Sequence, residues 1–107
     1  MKAIVAGPDA DDLAGRLGEN GVDVTPIEDV ATRPKLEEAG AHDADLFVLT
    51  DVGQATSIPI VKDLNDGIRA VVYDRNSLPD FVASQTDLAV DPELLGADAV
   101  AEELAAE

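Results

Sequence analysis

Short apolar runs alternate along this chain with segments in which apolar side chains recur every three or four residues. The first run, Lys2–Ala6, stops at Gly7-Pro8, which is typical of a buried strand that meets a turn. The same reasoning predicts four further strands, at Val22–Ile27, Leu46–Leu49, Ile68–Tyr73 and Leu88–Val90. Helical spacing predicts helices from Asp9 to Asn20, Thr32 to Gly40, Ser57 to Leu64, Leu78 to Ser84 and Gly96 to Ala106.

Individual residues refine these elements. Pro26 lacks an N–H donor, so its strand is expected at an edge of the sheet. Thr32 is a candidate N-cap, and Pro59 fits best in the first turn of its helix. The first helix is predicted to carry Asp9, Asp11 and Asp12 in its first turn, where carboxylates favour the helix dipole.

Strand and helix alternate five times with short connections, which predicts a three-layer, Rossmann-like α/β fold: a parallel sheet of about five strands with helices on both faces. At 107 residues we expect a single domain, 1–107. Ligands of such sheets bind outside the carboxyl ends of the strands. The candidate binding residues are therefore Gly7, Pro8, Asp9, Glu28, Asp29, Thr50, Asp51, Asp74 and Arg75.

The loop after the first strand departs from a dinucleotide-binding loop. That loop needs three glycines, so that bare backbone can approach the pyrophosphate, but here only Gly7 is present and Asp9 and Asp12 replace the others. Carboxylates beside a pyrophosphate are unfavourable unless a cation such as Mg²⁺ bridges them. Glu28 has the spacing of a ribose-binding acid, although acids are frequent throughout this chain. We therefore favour lost or altered nucleotide binding over binding in the usual pose.

Charge narrows the range of partners. The formal net charge is −16, from 23 acids against 7 Lys and Arg, so nucleic acid and anionic membrane surfaces are not expected as partners. No apolar run approaches the length of a membrane span, so membrane insertion is not expected either. Scarce Lys and abundant Asp and Ala are typical of halophile proteins, which work in a cytoplasm of molar salt. The absence of Cys and the single His42 give no catalytic or metal-binding set, so enzyme activity is not expected. A cytoplasmic protein is predicted.

The later half resembles the nucleotide-binding domain of potassium-transport regulators, the RCK or Trk-A N-terminal type. The matching residues are Leu36–Gly40, Asp43–Asp45, Thr50 and Arg75, and the resemblance covers nearly the whole chain. It implies binding of NAD or an adenine nucleotide, dimerisation and control of a transporter. Thr50 would then lie beside the cofactor, Asp29 would match the adenosine-side aspartate and Arg75 would support the site. A helix and strand of that family are missing, which implies a contracted relative.

A second resemblance is to the response-regulator receiver. The stretch Leu46–Asp51 resembles the receiver strand that ends in a phosphorylated aspartate. Phosphotransfer in receivers needs acids directly after the first strand and a lysine after the last. Here Asp9 and Asp12 lie beyond a Gly-Pro turn, and Asp91-Pro92 follows the last strand. The match therefore implies a phosphorylation-independent pseudo-receiver.

Four hypotheses follow. The first is a non-catalytic regulatory or partner-binding domain derived from a nucleotide-binding domain. The alternatives are a working NAD or adenine-nucleotide binding domain assisted by Mg²⁺, a pseudo-receiver signalling domain and a small enzyme. The sequence leaves open whether the partner is a second copy, in a homodimer, or another protein.

Overall fold

Five parallel strands form one sheet in the order β2-β1-β3-β4-β5. The structure is a computed structural model and describes residues 1–106. Its strands are β1 (Lys2–Ala6), β2 (Asp23–Ile27), β3 (Leu46–Leu49), β4 (Arg69–Tyr73) and β5 (Leu88–Val90). Its helices are α1 (Leu13–Glu19), α2 (Arg33–Glu38), α3 (Ser57–Leu64), α4 (Asp80–Ala83) and α5 (Ala97–Ala105), with a 3₁₀ turn at Val52–Gln54.

The core consists of two layers because alternate side chains of a strand point to opposite faces of the sheet. On one face Ile4 and Phe47 pack with buried residues of α2, α3 and α4. On the other face Val5 and Val48 pack with buried residues of α1 and α5. The three central strands are therefore almost wholly buried, and their ends fix the position of the loops that follow them.

This architecture confirms the predicted α/β fold with a parallel sheet covered on both faces. The order 2-1-3-4-5 is that of flavodoxin-like domains, in which the chain reverses its winding between β1 and β3. Pro26 does lie in an edge strand, Thr32 caps α2, and Pro59 lies in the first turn of α3. None of the helices in residues 1–106 has the length and apolar character needed to cross a membrane.

The predicted start of the first helix is wrong. The helix begins at Leu13, because Asp12 adopts a left-handed conformation with φ of 56° and ends the preceding turn. The carboxylates of Asp9, Asp11 and Asp12 therefore precede the helix instead of occupying its first turn. α3 has the predicted bounds, whereas α2, α4 and α5 are each shorter than predicted by one or two residues at either end.

Asp87, which directly precedes β5, stabilises the position of this strand beside β4. Its Oδ2 accepts hydrogen bonds from Lys62 Nζ and from the main-chain N–H of Ala70, both at 2.8 Å. Burial opposes ionisation of Asp87, but these hydrogen bonds and the charges of Lys62 and Arg69 outweigh it, so its pKa lies below the ordinary value of 3.8. The ionised carboxylate thus holds β5 beside β4.

Acidification should release this contact. Because the pKa of Asp87 is lower in the folded state, its stabilising effect is complete above about pH 4. That effect is lost as the pH falls below 3.8 and through the folded-state pKa. Urea unfolding between about pH 5 and pH 2 should show a steeper loss of stability for the wild type than for Asp87→Asn. Equal slopes for the two proteins would contradict this role of Asp87.

Candidate functional site

A cleft of about 190 Å³ opens where β1, β3 and β4 end, beside the loop that follows β5. This is the edge at which ligands bind in open α/β sheets. We call it the carboxyl-end cleft. Its lining residues are Pro8, Asp9, Ala10, Asp11, Thr50, Tyr73, Asp74, Arg75 and Pro92.

Gly7 allows β1 to turn away tightly at the cleft. Its φ is +103°, and a Cβ atom there would lie 2.5 Å from Thr50 Oγ1 and 3.3 Å from the Asp51 main-chain nitrogen. Only glycine fits this conformation and this close approach without strain. The backbone of Gly7 therefore approaches the neighbouring strand end of its own chain, in contrast to the glycine of a dinucleotide loop, which approaches a pyrophosphate.

Asp9 closes the N-terminus of α1. Its two carboxylate oxygens accept hydrogen bonds from the main-chain N–H groups of Leu13, at 2.7 Å, and Ala14, at 2.9 Å. These N–H groups have no partner within the helix, and in a nucleotide-binding fold the corresponding groups face a phosphate. The Asp9 carboxylate therefore occupies the anion position with a group of the protein itself.

Thr50 and Asp51, which follow β3, also bond to the main chain. The Thr50 hydroxyl donates to the carbonyl oxygens of Ala6 and Pro8. The Asp51 carboxylate accepts the N–H of Gly53 at 2.8 Å and caps the 3₁₀ turn. Thr50 lines the carboxyl-end cleft, whereas Asp51 lies outside its lining.

Asp74 joins the end of β4 to the loop after β3. One carboxylate oxygen accepts the N–H of Val52 at 2.8 Å, and the other accepts the N–H of Asn76 at 3.1 Å. The side chain is half-buried, so these bonds hold two loops of the cleft in a fixed relation. Like Asp9, this acid has its oxygens committed to the protein.

Tyr73 forms part of the cleft wall and was not among the residues predicted from the sequence. Burial raises the pKa of its hydroxyl above 10.0, and the neighbouring Asp11 carboxylate raises it further. The hydroxyl lies 3.5 Å from Asp11 Oδ2 and 3.4 Å from the Leu95 carbonyl oxygen. Tyr73 is therefore a neutral polar group at neutral pH. Sequence reasoning treated it as the last apolar residue of a strand, and that placement gave no signal of a role in the cleft.

The remaining predicted residues lie in other surroundings. Glu28 is exposed in a separate depression that it shares with Gly7, Pro8 and Asp9. Asp29 is exposed and pairs with Lys35 at 2.8 Å, and this hydrogen bond and charge lower its pKa. Arg75 lies in the carboxyl-end cleft but is largely exposed, with Glu93 at 3.8 Å. The structure thus brings together Pro8, Asp9, Thr50 and Arg75, but it does not place Asp29 or Asp51 with them.

The cleft has a negative balance, because Asp9, Asp11 and Asp74 line it with Arg75, and the carboxylates of Asp9 and Asp74 are engaged by main-chain N–H groups. Across residues 1–106, no group of three or more His, Asp or Glu side chains is arranged to hold a metal ion. Within the same range every fully buried side-chain polar atom has a hydrogen-bond partner. The geometry can support recognition of another molecule at this surface.

Solved structures place the fold in a class. A pilus assembly protein (cpaE) from Burkholderia thailandensis matches with a TM-score of 0.67 and 18% identity, over 99% of this chain and 98% of that one. An orphan response regulator of H. pylori matches with a TM-score of 0.71 and 14% identity, over 98% of this chain and 94% of that one. A Burkholderia pseudomallei response regulator with a phosphorylated aspartic acid matches with a TM-score of 0.59 and 19% identity, over 99% of this chain and 72% of that one. The chain therefore has a receiver-like α/β fold.

The sequence comparison gives the family. Residues 3–104 match DUF7126, a family of unknown function, and the chain belongs to that family. The comparison with curated proteins found no match.

These findings overturn the resemblance to potassium-transport regulators. The RCK or Trk-A N-terminal assignment was wrong, because the matching structures are receiver-like and the sequence belongs to a different family. The roles that the assignment implied for Asp29, Thr50 and Arg75 lose their basis with it. The second resemblance, to receivers, agrees with the fold.

Proposed function

We propose that this protein is a pseudo-receiver: a regulatory domain that binds a partner protein and needs neither phosphorylation nor a nucleotide to do so. The observation that carries the proposal is the bidentate contact of the Asp9 carboxylate with Leu13 and Ala14. Through this contact a carboxylate of the protein itself occupies the place at the start of α1 where a ligand phosphate would bind. A phosphate placed there would have to displace a like charge.

The other polar residues at the strand ends support the same proposal. Asp51 caps a turn, Asp74 ties two loops together, and Thr50 donates to main-chain carbonyls. After the last strand the chain has Asp91-Pro92, where the receiver pattern has a lysine. A phosphoryl group on Asp51 would therefore lack the cation that receivers place beside it. A fold similar to that of two response regulators favours signalling over catalysis.

A ligand panel separates this proposal from nucleotide binding. The melting temperature is followed in molar KCl with NAD, NADH, ATP, AMP and acetyl phosphate, each with and without Mg²⁺. A ligand at a hundred times its dissociation constant stabilises a protein by about 2.7 kcal/mol, which gives a shift of several degrees in a domain of this size. We expect no shift beyond that caused by Mg²⁺ alone. A Mg²⁺-dependent shift with any nucleotide would contradict the proposal.

A further inference from the structure

An asparagine that precedes a glycine can lose its side-chain amide group without an enzyme. In this reaction the main-chain nitrogen of the following residue attacks the amide carbon of the asparagine. A side chain on the following residue hinders the attack, whereas glycine leaves the nitrogen open. The chain has three asparagines, and the residues that follow them are Gly21, Asp66 and Ser77. Asn20 is thus the asparagine with the least hindered neighbour.

The pair Asn20-Gly21 lies at the exposed end of α1. Asn20 is the C-cap of this helix, and both residues are exposed. Gly21 has a φ of +85°, and no atom lies within 4 Å of the position that a Cβ would occupy. Solvent therefore reaches both residues, and no neighbouring side chain blocks the side of Gly21 at which the ring would form.

The Asn20 side chain is weakly held, in contrast to that of Asn65. Asn65 is half-buried, and its Nδ2 donates to two carbonyl oxygens of the loop before β3, at 3.1 and 2.9 Å. Its Oδ1 also accepts the N–H of Gly67 at 3.1 Å. Within residues 1–106 the Asn20 side chain has a single hydrogen bond, from Nδ2 to the Arg16 carbonyl oxygen at 2.8 Å. One exposed hydrogen bond therefore has to open before the Asn20 amide is free to turn.

Ring closure also requires the last turn of α1 to open. Asn20 has a ψ of 13°, and the N–H of Gly21 donates to the Gly18 carbonyl oxygen at 3.0 Å. The Gly21 nitrogen has to leave this hydrogen bond before it attacks. Helix ends fray at a small cost in free energy, far below that of global unfolding. Local fraying at Asn20 is therefore sufficient for the reaction.

We propose that Asn20-Gly21 is a site of spontaneous deamidation. The Gly21 nitrogen gives up its proton to a solvent base and forms a bond to Asn20 Cγ. The bond from Cγ to Nδ2 breaks, and the departing nitrogen takes up a proton from water and leaves as ammonia. Water then opens the five-membered imide at either carbonyl, which leaves an aspartyl or an iso-aspartyl residue at position 20.

The products weaken the end of α1. Both carry a carboxylate at the C-terminus of the helix, where the helix dipole disfavours negative charge. Both also lack the amide donor that bonds to the Arg16 carbonyl oxygen. The site joins α1 to β2 at the amino ends of the strands, away from the carboxyl-end cleft, so the modification is independent of the proposed function.

Ageing of the purified protein in mildly alkaline buffer with molar KCl tests the proposal. Samples taken over several days are digested and analysed by liquid chromatography and mass spectrometry, which locates the exchange of NH₂ for OH and separates aspartyl from iso-aspartyl peptides. A sample digested at the start corrects for conversion during digestion. We expect Asn20 to react at least about tenfold faster than Asn76, a difference of about 1.4 kcal/mol in activation free energy. Asn76 is the internal control, because it is also exposed but precedes Ser77. Conversion of Asn20 no faster than that of Asn76 would overturn the proposal.

Three variants make the test specific. Gly21→Ala places a methyl group beside the attacking nitrogen and should slow conversion of Asn20 about tenfold. Asn20→Gln keeps an amide but lengthens the side chain by one methylene, so position 20 should stay unmodified over the same period. Asn20→Asp reproduces one product and should lower the melting temperature by about 2–4 °C. An unchanged rate in Gly21→Ala would refute the attack by the Gly21 nitrogen, and an unchanged melting temperature in Asn20→Asp would refute the weakening of α1.

Discussion

Replacing Gly7 by alanine should lower the free energy of unfolding by about 3 kcal/mol. At φ of +103° an alanine is strained whatever space it has, and its Cβ would meet Thr50 Oγ1 at 2.5 Å. Backbone strain costs about 1–3 kcal/mol and overpacking in a tight site about the same. Thr50 cannot move aside without loss of its hydrogen bonds to Ala6 and Pro8. Urea unfolding of the two proteins in molar KCl measures the difference.

Two other glycines are matched controls for this variant. Gly21→Ala adds strain alone, because φ is +85° and no atom lies within 4 Å, so we expect a loss of about 1 kcal/mol. Gly18→Ala adds neither strain nor contact within α1 and should be neutral or stabilising by about 0.5–1 kcal/mol. If Gly7→Ala proved as mild as Gly21→Ala, the close approach of Gly7 to Thr50 would be refuted.

Replacing Asp9 by alanine should lower the free energy of unfolding by about 2 kcal/mol. The variant leaves the N–H groups of Leu13 and Ala14 without their carboxylate partner at the start of α1. Loss of an N-cap costs about 0.5–2 kcal/mol, and hydrogen bonds to a charged group lie at the upper end of that range. Asp9→Asn keeps one oxygen acceptor and should lose about half as much. Thermal or urea unfolding measures both variants.

Asp11→Ala is the control for Asp9→Ala. Asp11 is exposed in the same loop, and its carboxylate is 3.5 Å from the Tyr73 hydroxyl, so its removal should change stability by less than about 0.5 kcal/mol. If Asp9→Ala were instead more stable than the wild type, the Asp9 carboxylate would destabilise the folded state. That is the behaviour of a residue kept for ligand binding, and it would contradict the structural role given to Asp9.

The fold could be predicted from the sequence because its signals are local. The buried runs Lys2–Ala6 and Leu46–Leu49 became central strands with the predicted bounds, and Pro26 correctly indicated an edge. The order of the strands could not be predicted in this way, because it depends on contacts between distant elements, which the periodicity of the sequence does not encode. Alternating strands and helices indicate a parallel sheet, and they are equally compatible with several strand orders.

The candidate site was harder to predict because the role of an acid depends on where its oxygens point. Asp9 was expected within the first turn of α1, but the structure places it before the helix, and its contact with the N–H of Leu13 depends on the left-handed turn at Asp12. Asp51 follows a strand, as the candidate residues were expected to, but its carboxylate accepts the N–H of Gly53 and caps the 3₁₀ turn. In a chain with 23 acids, spacing alone does not separate a ligand-binding acid from a structural one.

The mistaken resemblance to potassium-transport regulators has the same origin. Short matches such as Leu36–Gly40 and Asp43–Asp45 consist of Glu, Asp, Ala, Leu and Gly, which occur throughout this chain. In the structure the first match forms the end of α2 and the turn after it, and the second lies in the turn before β3. Neither segment lines the carboxyl-end cleft. Matches of common residues at helix ends and turns therefore carried no information about a cofactor.

We propose that the strand-end acids of this receiver-like domain serve the fold and take no phosphoryl group. Intact-mass spectrometry after incubation with acetyl phosphate and Mg²⁺ in molar KCl is the most direct test. We expect the incubation to leave the masses of the wild type and of Asp51→Asn unchanged. Addition of one phosphoryl group to the wild type, absent from Asp51→Asn, would contradict it.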